Sequence, residues 1–158
     1  MKQSKWKPYV FWIALSEAVG LLSGLLTREG AALYGVRIQK PPLSPPALVF
    51  PIAWTILYAL MGTGAARVSL TPASGIRTKC LRLFLIQLAF NFFWSIIFFN
   101  VQAFGLAFIW LMVLWALIWM MTFSFGQADR LAALLQIPYL VWVLFAGYLN
   151  FGVWLLNG

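Results

Sequence analysis

Five apolar runs, at residues 8–26, 46–66, 81–100, 104–125 and 131–156, occupy most of the chain, and its charged residues gather in the stretches between them. A helix needs roughly 20 mainly apolar residues to cross the hydrocarbon core of a bilayer, and each run is about that long. The pattern predicts an all-α integral membrane bundle of five transmembrane helices, a single domain over residues 1–158. The one long connection, residues 27–45, carries Arg28-Glu29-Gly30 and Tyr34-Gly35-Val36-Arg37, which suggest a structured cap rather than a plain tether. Residues 67–79, with Thr71-Pro72-Ala73-Ser74-Gly75, read as an ordinary turn.

Polar residues inside the runs fall on helical faces. Gln87, Asn91, Trp94, Ser95 and Phe98 share one face of the third run, and Leu135, Tyr139, Trp142, Ala146 and Asn150 share one in the fifth. In the second, Trp54, Tyr58, Met61 and Ala65 align, with Pro51 in or just after the first turn. Amides in hydrocarbon need hydrogen-bond partners, so these faces point into the bundle. Two accounts stand side by side: interhelical glue, worth about 0.6 kcal/mol per bond, or polar anchors for a ligand. Pro138 removes a backbone hydrogen bond and predicts a kink that leaves room beside the fifth helix. Large aromatics on kinked helices, facing an amide-bearing helix, are the ingredients of an apolar pocket with a few polar anchors, although tryptophan and tyrosine also decorate membrane interfaces.

Glu17 is the one acidic residue inside a run. Leaving it charged there costs at least about 2.5 kcal/mol on insertion scales, so it is expected to be protonated or paired. Gly20-x-x-x-Gly24, Gly62-x-x-x-Ala66 and Ala103-x-x-x-Ala107 let helices approach closely, within the bundle or in a homodimer.

Composition agrees with this reading and narrows the function. The chain is 63% hydrophobic and 9% charged, against roughly 25% charged in soluble domains. Its formal net charge of +8 comes from short clusters beside the runs, where they serve as topology signals and lipid-headgroup contacts rather than a nucleic-acid surface. Lys2, Lys5, Lys7, Arg67, Arg77, Lys79, Arg82 and Arg130 share one side, and Arg28, Arg37 and Lys40 lie opposite, which predicts the N-terminus inside and the C-terminus outside. The first run lacks a clear small-x-small cleavage site and reads as a retained span. With no lipid-facing strand alternation, the bacterial cytoplasmic membrane is the expected location.

With no histidine and the single cysteine Cys80, a metal site of the usual kind has no ligands. No nucleophile–base pair, carboxylate pair or phosphate-cradling loop appears, so conventional hydrolytic or phosphoryl-transfer catalysis lacks its parts. An odd number of spans without inverted halves speaks against a secondary transporter.

Four motifs carry a family resemblance over nearly the whole chain: Lys40-Pro41 with Pro45-Pro46; Phe50-Pro51-Ile52-Ala53-Trp54-Thr55-Ile56-Leu57-Tyr58-Ala59-Leu60-Met61-Gly62; Gln87-Leu88-Ala89-Phe90-Asn91-Phe92-Phe93-Trp94 ending in Phe98-Phe99; and Pro138-Tyr139-Leu140-Val141-Trp142 with Leu149-Asn150. Together they resemble the tryptophan-rich sensory protein (TspO/MBR) family, which includes the mitochondrial translocator protein or peripheral benzodiazepine receptor, in its bacterial form. The resemblance implies a five-helix bundle, often dimeric, whose cavity opens toward the first loop, with residues 27–45 as its lid. It further implies binding of porphyrins such as protoporphyrin IX and haem, and of benzodiazepine-type ligands, with no cofactor required beyond the porphyrin ligand itself. Carried over by motif, the ligand residues are Trp54, Tyr58, Gln87, Asn91, Trp94, Tyr139, Trp142 and Ala146. Trp54 and Trp142 match tryptophans implicated in light-dependent porphyrin breakdown, and porphyrin or lipid transport is a further alternative. Two departures stand out. Leu43 replaces a tryptophan common in the Lys-Pro-x-Trp-x-Pro-Pro pattern, and no basic residue follows Phe151, which removes the sterol-type motif.

Overall fold

The computed structural model describes residues 5–158, so Lys2 of the N-terminal basic cluster lies outside the described residues. The described chain is helical: α1 (Trp6–Leu26), α2 (Arg28–Arg37), α3 (Val49–Ser69), α4 (Gly75–Ser95) continued by a π-helical segment (Ile96–Val101), α5 (Phe104–Ala128), α6 (Arg130–Leu134) and α7 (Ile137–Asn157). Five stretches are long and apolar enough to cross a membrane: Trp6–Leu26, Val49–Ser69, Gly75–Val101, Phe104–Ala128 and Arg130–Asn157. The protein is an integral membrane protein built as a bundle of these helices.

Boundaries differ from the apolar runs where caps and prolines decide them. The second helix starts at Val49 rather than residue 46, because the prolines force an extended entry and the Val49 amide closes a turn on the Pro46 carbonyl at 3.0 Å. The third starts at Gly75, since Ser74 Oγ accepts from the Arg77 amide at 3.1 Å and caps a first turn too polar to be read as apolar. The fifth run is not one kinked helix. It breaks at Leu135 and Gln136 into α6 and α7, which places Pro138 in the first turn of α7, where its missing N–H costs nothing.

α1 packs on α3, α4 on α5, and α5 on α7, whereas α3 and α7 touch only sparingly. A Cβ on Gly62 would collide with the backbone of Trp12 and Ile13, so the Gly62-x-x-x-Ala66 spacing is used inside the bundle, at the α1–α3 crossing. At the end of the bundle that holds the start of α1, Arg67 Nε lies 3.0 Å from Asp129 Oδ2, and Arg67 Nη2 donates to Asp129 Oδ1 at 3.5 Å. Asp129 Oδ1 also accepts from the amides of Leu131 and Ala132 and caps α6.

The opposite end carries a structured cap, as the composition of residues 27–45 suggested. Gly30 of α2 sits against the Phe99 carbonyl and the Asn100 side chain, where a Cβ would clash, and Asn100 Nδ2 donates to the Leu26 carbonyl at 3.0 Å. Beyond α2 the chain forms a strap held by α7. The Gln39 amide donates to Asn157 Oδ1 at 3.0 Å, and Asn157 Nδ2 donates back to the Gln39 carbonyl at 2.8 Å. Tyr148 Oη donates to the Pro42 carbonyl at 2.6 Å, and the Pro41 ring is seated on Gly152. Leu43, at the crest of the strap, is 82% exposed and has φ 70°, a left-handed conformation uncommon for a side chain of its size.

Candidate functional site

A cavity of about 1020 Å³ opens under this cap, bounded by α1, α2, the strap, the first half of α3, the end of α4 with its π segment, and α7. On α3, Phe50, Trp54 and Tyr58 recur every fourth residue and face the same way. The Trp54 ring lies 5.6 Å from Tyr58, 6.2 Å from Tyr139 and 6.4 Å from Trp142, and Phe50 stands 6.0 Å from Trp142. Trp54 meets Tyr139 and Trp142 edge to face, as Phe50 meets Trp142, whereas Trp54 and Tyr58 are tilted at 32°.

From the third span, Trp94 stacks on Phe98 at 5.2 Å. The π winding that follows inserts an extra residue into the turn, and both Phe98 and the adjacent Phe99 reach the cavity wall. Tyr34 of α2 closes over them, 5.4 Å from Phe98 and 5.5 Å from Phe99. Lys40 lies 4.8 Å over the Tyr34 ring, with its ammonium donating to the carbonyls of Gly35 and Ile38, each at 3.2 Å. Burial pushes the Tyr34 phenol above its ordinary value, which keeps it neutral beneath the lysine.

Of the residues expected from the sequence, Trp54, Tyr58, Trp94, Trp142 and Ala146 line the cavity. Gln87, Asn91 and Tyr139 do not; they form the layer behind it. Tyr58 Oη donates to Asn91 Oδ1 at 2.6 Å, Asn91 Nδ2 donates to Tyr139 Oη at 2.7 Å, and Tyr139 Oη donates to Gln87 Oε1 at 2.8 Å. The amide pair is therefore consumed in joining α3, α4 and α7, because a buried amide in an apolar bundle takes the nearest helix-borne partners. Trp94 Nε1 is likewise engaged, donating to Asn150 Oδ1 at 3.0 Å, while Asn150 Nδ2 donates to the Phe104 carbonyl at 2.9 Å.

The open polar capacity lies elsewhere. Trp142 Nε1 is buried and has no partner, whereas Trp110 and Trp115 donate to the carbonyls of Phe90 and Leu140. A buried donor left unpaired costs about 1–3 kcal/mol. The charged groups lining the cavity are Glu17 and Lys40. Reasoning from the spans missed Phe50, Tyr34, Phe99 and Lys40 as wall residues. Phe50 was visible in outline as the position one turn before Trp54; the other three depend on the cap and on the π segment.

The chain matches the TspO/MBR family over residues 7–155. It is 38% identical over 146 residues to the tryptophan-rich protein TspO of Chlorobaculum tepidum, covering 92% of each chain. It is 39% identical over 120 residues to a tryptophan-rich sensory protein of Cereibacter sphaeroides, covering 76% of this chain and 74% of that one. To the translocator protein of Homo sapiens it is 34% identical over 153 residues, covering 94% of this chain and 89% of that one. With its motifs lying in order along a five-span bundle, this chain belongs to the TspO/MBR family.

Proposed function

We propose that the protein is a membrane sensor or binding protein that takes porphyrins such as protoporphyrin IX and haem, and benzodiazepine-type ligands, into the aromatic cavity under the cap. The observation that carries this reading is the wall itself: Phe50, Trp54, Trp94 and Trp142 line a space of about 1020 Å³ with large aromatic rings. Stacking and apolar burial supply affinity, and the few polar groups fix orientation. Lys40 at the cap suits the carboxylates of a porphyrin edge. Titration of the purified protein with protoporphyrin IX is expected to quench tryptophan fluorescence saturably. Absence of quenching, or unchanged affinity in the Trp54→Phe, Trp142→Phe double variant, would overturn the assignment.

A second reading is favoured by the 6.4 Å approach of the Trp54 and Trp142 rings in the same wall. Under light, either indole gives an electron to the excited porphyrin, and dioxygen serves as the terminal oxidant of the ring's breakdown. Illumination in air should bleach the porphyrin Soret band faster with the wild type than with either Trp→Phe variant; equal bleaching in detergent alone would refute it.

A further inference from the structure

Glu17 is the one carboxylic acid in a wall otherwise made of aromatic, aliphatic and small residues. It lies on α1, one helical turn before Gly20, the point at which α1 presses on the Tyr58 ring. Among the described residues Glu17 makes no hydrogen bond and no ion pair, and its side chain is half-buried. Of the two states expected from the sequence, protonated or paired, the second finds no partner within the described chain. The other charged wall residue, Lys40, has its ammonium on the carbonyls of Gly35 and Ile38. On α3, which packs directly on α1, Tyr58 and Trp54 line the same cavity, with their rings 5.6 Å apart.

A carboxylic acid that shares an apolar enclosure with the rings of tyrosine and tryptophan is the chemistry that recognises a lipophilic cation: the rings attract the positive charge, the ionised acid neutralises it, and the remaining wall takes up its apolar substituents. Such a ligand would supply the partner that Glu17 lacks. We infer that Glu17 makes the cavity a binding site for apolar organic cations, with Glu17 on α1 and the Trp54 and Tyr58 rings on α3 together holding the cationic centre. This inference rests on the cavity being a ligand site, as proposed above, and adds a second ligand class that the porphyrin reading does not require.

Tetraphenylphosphonium is a suitable probe because its charge is permanent, and triphenylphosphine oxide is a neutral relative of similar bulk. Binding of each, and of protoporphyrin IX, is followed by tryptophan quenching in an uncharged detergent, with partition into protein-free micelles subtracted. The wild type is expected to bind the phosphonium at least fivefold more tightly than the oxide. Glu17→Gln is expected to abolish that preference, bringing the phosphonium to the affinity of the oxide, with a monodisperse elution profile and an unchanged thermal midpoint showing that the variant is folded. If the wild type binds cation and oxide equally, or if E17Q retains the preference, the inference fails while the porphyrin reading stands. If protoporphyrin IX fails to bind and the cation preference is present, the porphyrin reading fails and this one survives.

Discussion

The indole of Trp142 stands perpendicular to that of Trp54, at 89° and 6.4 Å between ring centroids, yet its own N–H is buried without a partner. Trp94, Trp110 and Trp115, by contrast, each donate to an oxygen of a neighbouring helix. The Trp142 side chain lines the cavity, but its nitrogen has no surface open to it.

Trp142→Phe should therefore separate binding from stability. The ring stays apolar and the unpaired donor disappears, so the thermal midpoint in detergent is expected to be unchanged or slightly higher, while protoporphyrin IX affinity falls about tenfold, or ~1.4 kcal/mol. Quenching of the remaining tryptophans gives the affinity, and a thermal melt gives the stability. A destabilised variant with unchanged affinity would assign the indole to packing instead.

Tyr58 and Tyr139 occupy unequal positions in the buried chain of hydrogen bonds. Tyr58→Phe leaves one acceptor, Asn91 Oδ1, without its donor. Tyr139→Phe strands two groups, Asn91 Nδ2 and Gln87 Oε1. At about 1–3 kcal/mol for each stranded buried group, Tyr139→Phe should lower the thermal midpoint roughly twice as far as Tyr58→Phe. Equal shifts would mean that the amides find new partners.

Much of this was legible in the chain. Five spans followed from run length alone; helical spacing put Trp54, Tyr58, Trp94, Trp142 and Ala146 on inward faces, because a face that carries polar or aromatic residues turns away from lipid, and the family resemblance singled them out as ligand residues. Spacing gives direction but not depth. Gln87, Asn91 and Tyr139 point inward as expected, and only the packing of α3, α4 and α7 shows that they satisfy one another behind the wall. The cap was the least legible part. Its hold on α7 joins Gln39 to Asn157 across 118 residues, and its crest runs through Leu43 with a left-handed backbone, neither of which leaves a local signal.

Gly62 offers a test of the bundle rather than the site. A Cβ there would press on the backbone of Trp12 and Ile13, and backbone cannot move aside as a flexible side chain can. Gly62→Leu is expected to push α1 off α3, costing about 1–3 kcal/mol or more from overpacking, and to lower the yield of monodisperse protein. Gly24→Ala, on the same small-residue spacing but with open space around it, should be neutral in the same assay.

The strap gives the sharpest kinetic test. Gln39, Asn157, Tyr148 and Pro42 share three hydrogen bonds that fasten it to α7, at 2.6–3.0 Å. These bonds touch no cavity wall, since neither Asn157 nor Tyr148 lines it. If the strap must lift for a ligand to pass, the Asn157→Ala, Tyr148→Phe double variant loses roughly 0.5–1.5 kcal/mol per bond from the closed state. Association and dissociation of protoporphyrin IX, followed by stopped-flow quenching, should then accelerate together by about tenfold, with Kd little changed because the wall is intact. A wall residue behaves differently, since its loss raises dissociation alone and weakens Kd in proportion. Unchanged rates in the double variant would show that ligands enter past α1 and α3, from the lipid side, and that the strap is a fixed roof.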